Sequence, residues 1–124
     1  MDKKKVLIAD DEAHIRLLMR SILAKDYIIL EASDGEEAVD VARTERPDLI
    51  LMDIMMPKLD GVGACNIIKS DSTTKGIPVI MVSARGDKVD QEYAKDMGAD
   101  GYITKPFSSQ ELLGTINRIL TNPE

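Results

Sequence analysis

The chain has 124 residues, enough for one domain with one core and too few for two. With 44% hydrophobic and 31% charged residues it is ordinary for a globular protein, which excludes disorder. Sixteen Lys and Arg against 22 Asp and Glu give a net charge of -6, which argues against direct nucleic-acid binding and suits cations or basic partners.

The start, Met1-Asp2-Lys3-Lys4-Lys5, leads into only four apolar residues before Asp10, so neither a signal peptide nor a membrane span is expected. A lone cysteine, Cys65, forms no internal disulfide and agrees with a reducing compartment. The expected location is cytoplasmic, without membrane attachment.

Val6-Leu7-Ile8-Ala9 reads as a first buried strand ending in Asp10-Asp11. Ile15, Leu18, Met19, Ile22 and Leu23 recur at helical spacing, predicting a core-facing helix to about Lys25. Ile28-Ile29-Leu30 is a second strand. Asp34-Gly35-Glu36-Glu37 then has the form of a capping box, before a helix with Ala38, Val41 and Ala42 inward that Pro47 ends. Leu49-Ile50-Leu51-Met52 is too short for a helix and has no polar alternation, so it predicts a strand buried on both faces, with Asp53 at its end.

Met56-Pro57-Lys58-Leu59-Asp60-Gly61 carries turn signals before a helix with Ala64, Ile67 and Ile68 inward. Ile77 to Val82 supplies a fourth strand, with Pro78 tolerated at its start, followed by Ser83-Ala84-Arg85-Gly86. The helix over Lys88 to Met97 has the weakest apolar stripe and is expected to be the most exposed and mobile, with Gly98 its stop. Tyr102-Ile103-Thr104 is the fifth strand, running into Lys105-Pro106-Phe107. Ser108 and Glu111 form another capping box, and the last helix buries Leu112, Leu113, Ile116, Ile119 and Leu120. Strands alternating with helices predict an α/β fold, a doubly wound parallel sheet with right-handed crossovers, and no linker, repeat or low-complexity segment is evident.

Four strands end in Asp10-Asp11, Asp53, Ser83-Ala84 and Lys105-Pro106, and in an open parallel sheet the crevice beyond the carboxyl ends holds the ligand. Three carboxylates about 4 Å apart repel by about 4 kcal/mol per pair at an effective dielectric near 20, so the cluster calls for a cation or raised pKa values. Hard oxygen ligands with room for water select Mg²⁺. With that charge neutralised, an ionised Asp53 can attack phosphorus to form an aspartyl phosphate, with Asp10 and Asp11 holding the metal. Lys105 starts two strand spacings from Asp53, about 10 Å at ~4.8 Å per strand, and its four-carbon stem spans that gap. The intervening strand end must be small, as Ser83-Ala84 is, and the Ser83 hydroxyl suits a phosphoryl oxygen. Pro106 permits a cis bond that would direct Lys105.

Taken singly these residues have plainer readings. Asp10-Asp11 could cap a helix, Asp53 could be a turn residue, Lys105 a solvated lysine and Tyr102 strand filler. Met55 and Met56 could pack the loop, His14 could be a surface residue, Cys65 a small buried hydrophobe and Lys3-Lys4-Lys5 a solvated start.

Val6 to Asp11, Asp48 to Gly61, Val79 to Arg85 and Gly98 to Phe107 together resemble the receiver domain of two-component response regulators, of the chemotaxis-regulator kind, and the resemblance spans residues 1–124. It implies a flavodoxin-like five-stranded sheet with five helices and strand order 2-1-3-4-5, an order carried over from the family. It also implies that Asp53 accepts a phosphoryl group from a histidine kinase or phosphotransfer protein. Asp11, Asp53 and the Met55 backbone carbonyl would ligate Mg²⁺ directly, and Asp10 largely through water. Ser83 matches a switch hydroxyl, Lys105 the family's active-site lysine and Tyr102 an aromatic that swings inward on activation.

By the same resemblance the domain is no enzyme beyond its own phosphoryl acceptance and loss. It would signal through the face of the fourth helix, fifth strand and fifth helix, where Glu92, Lys95 and Arg118 are candidate contacts, to a downstream protein or fused output domain, as a monomer or a phosphorylation-dependent dimer. Gly63 and Gly101 depart from commoner bulkier residues, Gly101 directly before Tyr102, and Met55 and Arg85 flank the site where phosphate lifetime is affected. Two other functions fit the pattern less well. An aspartyl-phosphate phosphatase wants a general acid at position 55, which is Met, and a flavin carrier wants a phosphate loop where Asp10-Asp11 would repel phosphate.

Overall fold

The computed structural model describes residues 3–84 and 88–121, leaving aside the side chains of residues 88 and 89. Along the chain run β1 (Lys5–Ala9), α1 (Ala13–Leu23), β2 (Ile28–Ala32), α2 (Gly35–Glu45), β3 (Leu49–Met52), α3 (Gly61–Ser70), β4 (Val79–Ser83), α4 (Lys88–Asp96), β5 (Gly101–Thr104) and α5 (Ser109–Thr121). The strands form one parallel sheet in the order β2-β1-β3-β4-β5, the flavodoxin-like arrangement.

The near-continuous apolar runs of β1, β3 and β4 follow from burial on both faces. Alternate residues go to opposite cores. Leu7, Ile50, Met52, Val79 and Met81 pack with Ala38, Ala42, Ala64, Cys65 and Ile68 of α2 and α3. Val6, Ile8, Leu49, Leu51, Ile80, Val82 and Ile103 pack with Met19 and Leu23 of α1 and Leu112 and Ile116 of α5. Each fully buried Leu or Ile contributes about 1.5–3 kcal/mol, so these two layers fix the sheet that presents the strand ends.

Several expected boundaries shift. Helix α1 stops at Leu23, two residues before Lys25, and β2 continues past Leu30 to Ala32. Leu18, predicted inward, is 47% exposed, and Ile67 is 36% exposed because Val62, Cys65 and Ile68 carry the buried side of α3. In α2, Val39 is buried beside Ala38 and Ala42, while Val41 is half-buried. Helix α5 fully buries Leu112 and Ile116, with Leu113, Ile119 and Leu120 only partly buried. Of the lysine run, Lys3 and Lys4 are exposed, but Lys5 opens β1 and ties it to the preceding edge of β3: its N–H donates to Asp48 Oδ2 at 2.7 Å and its Nζ to the Glu45 carbonyl at 2.6 Å.

The caps follow the sequence with one change. Asp34 accepts from Glu37 N–H, but Glu37 reaches back to the N–H and hydroxyl of Ser33 instead of the Asp34 N–H. Ser108 and Glu111 make the reciprocal pair expected of them. Arg46, just before Pro47, caps α2 at φ 47. Past α4, Gly98 adopts φ 108, a conformation that glycine alone takes without strain. Among the described residues of α4, Ala94 is the one fully buried, which agrees with its weak stripe.

Candidate functional site

Because β1 and β3 are neighbours at the point where the strand order reverses, their ends bring Asp10 and Asp53 into one crevice. Asp53 N–H donates to the Ala9 carbonyl at 2.9 Å, and Asp10 N–H to the Ala32 carbonyl at 3.1 Å, so the ladder hydrogen bonding runs up to the first carboxylates. Asp10 and Asp53 are buried and Asp11 is exposed, and one carboxylate oxygen from each of the three lies within 4.8 Å of the other two.

Lys105 supplies the countercharge. Its Nζ lies 2.8 Å from Asp10 Oδ2 and 3.5 Å from Asp53 Oδ2, having crossed over the end of β4 as its position two strands away requires. Ser83 ends β4, fully buried, and its carbonyl accepts from Lys105 N–H at 2.8 Å. The Lys105-Pro106 peptide is cis, the isomer Pro106 allows. Asp11, Glu12, Asp53, Met55, Ser83, Ala84 and Lys105 line a cleft of about 290 Å³.

The electrostatics bear the mark of this crowding. Burial, aided by the charge of Asp10, pushes the Asp53 carboxyl up to about 6 against the opposing pull of Lys105. Burial disfavours the Lys105 ammonium, but its hydrogen bond to Asp10 and the charges of Asp53, Asp10 and Glu12 outweigh that and raise its pKa. A divalent cation fits such a donor set: the oxygens are hard, two carboxylates are buried, and one cation of charge two offsets repulsion that a single ammonium leaves in place.

The cap reading of Asp10-Asp11 is displaced by one residue. Glu12 holds the N-cap position of α1 without a side-chain cap bond, while Asp10 Oδ1 accepts from Glu12 N–H at 2.9 Å. Met56 packs the loop and Met55 is exposed at the cleft. Tyr102 is half-buried against the α2–α3–α4 core and borders a second cavity with Gln91, Glu92, Lys95, Ala99, Asp100 and Gly101. Glu92, Lys95 and Arg118 are exposed, as is His14, and Cys65 is buried with its thiol pushed up to about 11 by burial. Arg85 lies outside the described residues.

Three contributors escaped the sequence reading. Glu12 lines the cleft, a placement its neighbours Asp10-Asp11 could have suggested. Arg16 donates to the Asp10 carbonyl at 2.6 Å, for which the sequence has no signal. Gly61, read only as a turn residue, stands against the Asp53 backbone, and its N–H donates to the Ile54 carbonyl at 2.8 Å.

Comparison with known proteins agrees with this geometry. The family model described as "Response regulator receiver domain" matches residues 6–117. A probable transcriptional regulator, ycf27, of Guillardia theta is 47% identical over 119 residues, covering 95% of this chain and 46% of that protein. The alkaline phosphatase synthesis transcriptional regulatory protein PhoP of Bacillus subtilis is 38% identical, covering 100% of this chain and 51% of its own. The receiver domain of a sensor histidine kinase from Pseudomonas aeruginosa, solved with a magnesium ion coordinated in its active-site cleft, superposes with a TM-score of 0.90 at 28% identity, covering 98% of this chain and 100% of that one.

The chain therefore belongs to the response regulator receiver domain family, the phosphoacceptor class of two-component signalling. Neither the phosphatase nor the flavin-carrier reading finds support among these relatives. The chain spans about half the length of the curated relatives it matches. Among the described residues no helix is long and apolar enough to cross a membrane.

Proposed function

We propose that residues 1–124 act as a phosphorylation switch whose acceptor is Asp53, and that Asp53 takes the group from a phosphohistidine on a kinase or phosphotransfer protein. The observation that carries this reading is the convergence of Asp10, Asp53 and Lys105 within 3.5 Å contacts at the sheet's carboxyl edge, in a cleft open to a donor. Asp11, Asp53 and the Met55 carbonyl would hold Mg²⁺ directly and Asp10 through water; when bound, the ion neutralises the carboxylates and stabilises charge on the transferring oxygens.

The residues of the chain do the rest. An Asp53 carboxylate oxygen forms the new bond to phosphorus as the bond to the donor's ring nitrogen breaks and its electron pair returns to the imidazole. The Lys105 ammonium, already poised between Asp10 and Asp53, exchanges a carboxylate contact for a phosphoryl oxygen. Ser83, at the end of the intervening strand, gives a hydroxyl to a second phosphoryl oxygen. Movement of Ser83 toward the phosphoryl group leaves room for Tyr102 to turn inward, and the α4–β5–α5 face changes its affinity for a partner. The chemistry is self-catalysed acceptance and loss, without turnover of a separate substrate.

A location in the cytoplasm suits a chain that meets a kinase there, and two transcriptional regulators among the relatives favour an output through a fused or separate module, with the receiver a monomer or a phosphorylation-dependent dimer. The test is intact mass after incubation with acetyl phosphate. One added phosphoryl group that requires both Mg²⁺ and Asp53, and is absent in Asp53→Asn, is expected; addition that persists in Asp53→Asn would overturn the assignment.

A further inference from the structure

Asp11 is the exposed member of the carboxylate cluster, and it hangs from a short connection between β1 and α1. The Asp10 carbonyl is the oxygen of the peptide whose nitrogen belongs to Asp11, so whatever holds that oxygen fixes the peptide plane from which the Asp11 residue departs and narrows where its carboxylate can go. What holds it is Arg16: Nη1 donates to the Asp10 carbonyl at 2.6 Å while Nε of the same guanidinium donates to Glu31 Oε1 at 3.0 Å. The other oxygen of Glu31 takes Arg20, at 2.7 Å from both its Nε and its Nη2.

Glu31 lies on β2, opposite Ile8 of β1, so the bracket runs from α1 through the edge strand to the tip of β1. Burial works against its charge, yet the hydrogen bonds and charges of Arg20 and Arg16 hold its carboxyl below the usual range, which keeps the anchor ionised. The planar fork holds Nη1 and Nε at a fixed separation that matches these two acceptors, a geometry that the single nitrogen of a lysine on its flexible stem does not reproduce.

We infer that Arg16, anchored by Glu31, is a positioning residue for the cation site: it fixes the Asp10–Asp11 peptide so that the Asp11 carboxylate meets Asp53 without an ordering cost. The inference rests on the proposed Mg²⁺ site and extends it to residues that touch no ligand. A purely structural role for the cluster, fastening α1 to β2, predicts a loss of stability alone. A purely electrostatic role predicts tighter cation binding when the positive charge is removed. Positioning predicts weaker binding even when the charge is kept.

The decisive measurement is calorimetric titration of the chain with Mg²⁺ alone, with thermal unfolding followed in parallel. Removing an outer-shell support costs about tenfold in metal affinity, so Arg16→Lys is expected to weaken Mg²⁺ binding about tenfold. Arg20→Met, which loosens the same ion-pair cluster without reaching the Asp10 carbonyl, is expected to lower the melting temperature and keep the wild-type affinity. Wild-type affinity in Arg16→Lys, or equal weakening in Arg20→Met, overturns the inference. Should Arg16→Lys fail to fold, Glu31→Gln decides, with several-fold weaker binding expected and unchanged binding fatal to the inference. A wild-type chain that does not bind Mg²⁺ overturns the site reading along with it, an outcome distinct from equal binding by all variants.

Discussion

Gly61 stands against the backbone of Asp53: a Cβ built on it would lie 1.9 Å from the Asp53 carbonyl oxygen and 2.8 Å from its carbon. No rotamer relieves a clash with main-chain atoms, so the first turn of α3 and the end of β3 can meet this closely only through glycine. Gly61→Ala must push the turn away from the acceptor, at a cost of about 1–3 kcal/mol for overpacking. The expected result is a lower unfolding midpoint in urea together with slower phosphoryl uptake from acetyl phosphate; wild-type values for both would show that the contact relaxes freely.

The Asp53 carboxyl is raised from its ordinary 3.8 to about 6 in the metal-free protein. A folded-state value above the unfolded one means that the native state binds more protons between those limits, so stability falls as pH rises from about 4 to 6. The penalty, absent below the unfolded pKa and complete above the folded one, has an upper limit of about 3 kcal/mol at ~1.4 kcal/mol per pH unit, and is smaller because the cleft admits water. Asp53→Asn removes it. Metal-free Asp53→Asn is therefore expected to be more stable than wild type at pH 7 and to lose that advantage at pH 4, measured by urea unfolding at both pH values.

The fold was legible because the runs Val6 to Ala9 and Leu49 to Met52 are apolar on both faces, a pattern that buried parallel strands impose on sequence. The candidate site was legible from the strand ends: Asp10 and Asp53 follow directly on apolar strands, Ser83 closes β4 and Lys105 follows β5, and a parallel sheet brings such ends together. What periodicity could not resolve was which apolar residues of a helix miss the core. Leu18 and Ile67 sit at the margin of their stripes, where a rotation of α1 or α3 by a few tens of degrees separates buried from exposed. Arg16 and Gly61 were invisible as parts of the site because each acts on a backbone carbonyl, a target that every residue carries and no sequence pattern marks.

Cys65, fully buried on α3 with its thiol raised from 9.0 to about 11, makes the chain its own reporter of opening. Only the thiolate attacks disulfide or alkylating reagents, and the raised pKa cuts the thiolate fraction about 100-fold at pH 8, which slows reaction about tenfold once the greater nucleophilicity of a more basic thiolate is counted and before steric protection is added. Labelling of the native chain by a thiol reagent is expected to track unfolding, with the rate rising steeply across the urea transition. Rapid stoichiometric labelling in buffer would place Cys65 on an open surface instead.

Lys105 competes with any cation for Asp10 and Asp53, since its ammonium occupies one oxygen of each at 2.8 and 3.5 Å. Truncating it leaves Asp10, buried with no exposure, without its countercharge, and breaking such a pair costs about 3–5 kcal/mol in a dry interior and less at the mouth of a cleft. Lys105→Ala is thus expected to keep the fold, to lose stability in metal-free buffer at neutral pH, and to regain much of it when Mg²⁺ is added. The Mg²⁺ affinity should rise several-fold, because removing the ammonium frees two ligand oxygens and deletes a repulsive charge. Phosphorylation-dependent partner binding should nevertheless be lost, since the ammonium is the cation that the proposed switch places on the phosphoryl oxygen. Calorimetry with Mg²⁺ and a pull-down by the phosphorylated variant separate the two effects; tighter metal binding with intact phosphorylation-dependent binding would confine Lys105 to charge balance and remove it from the switch.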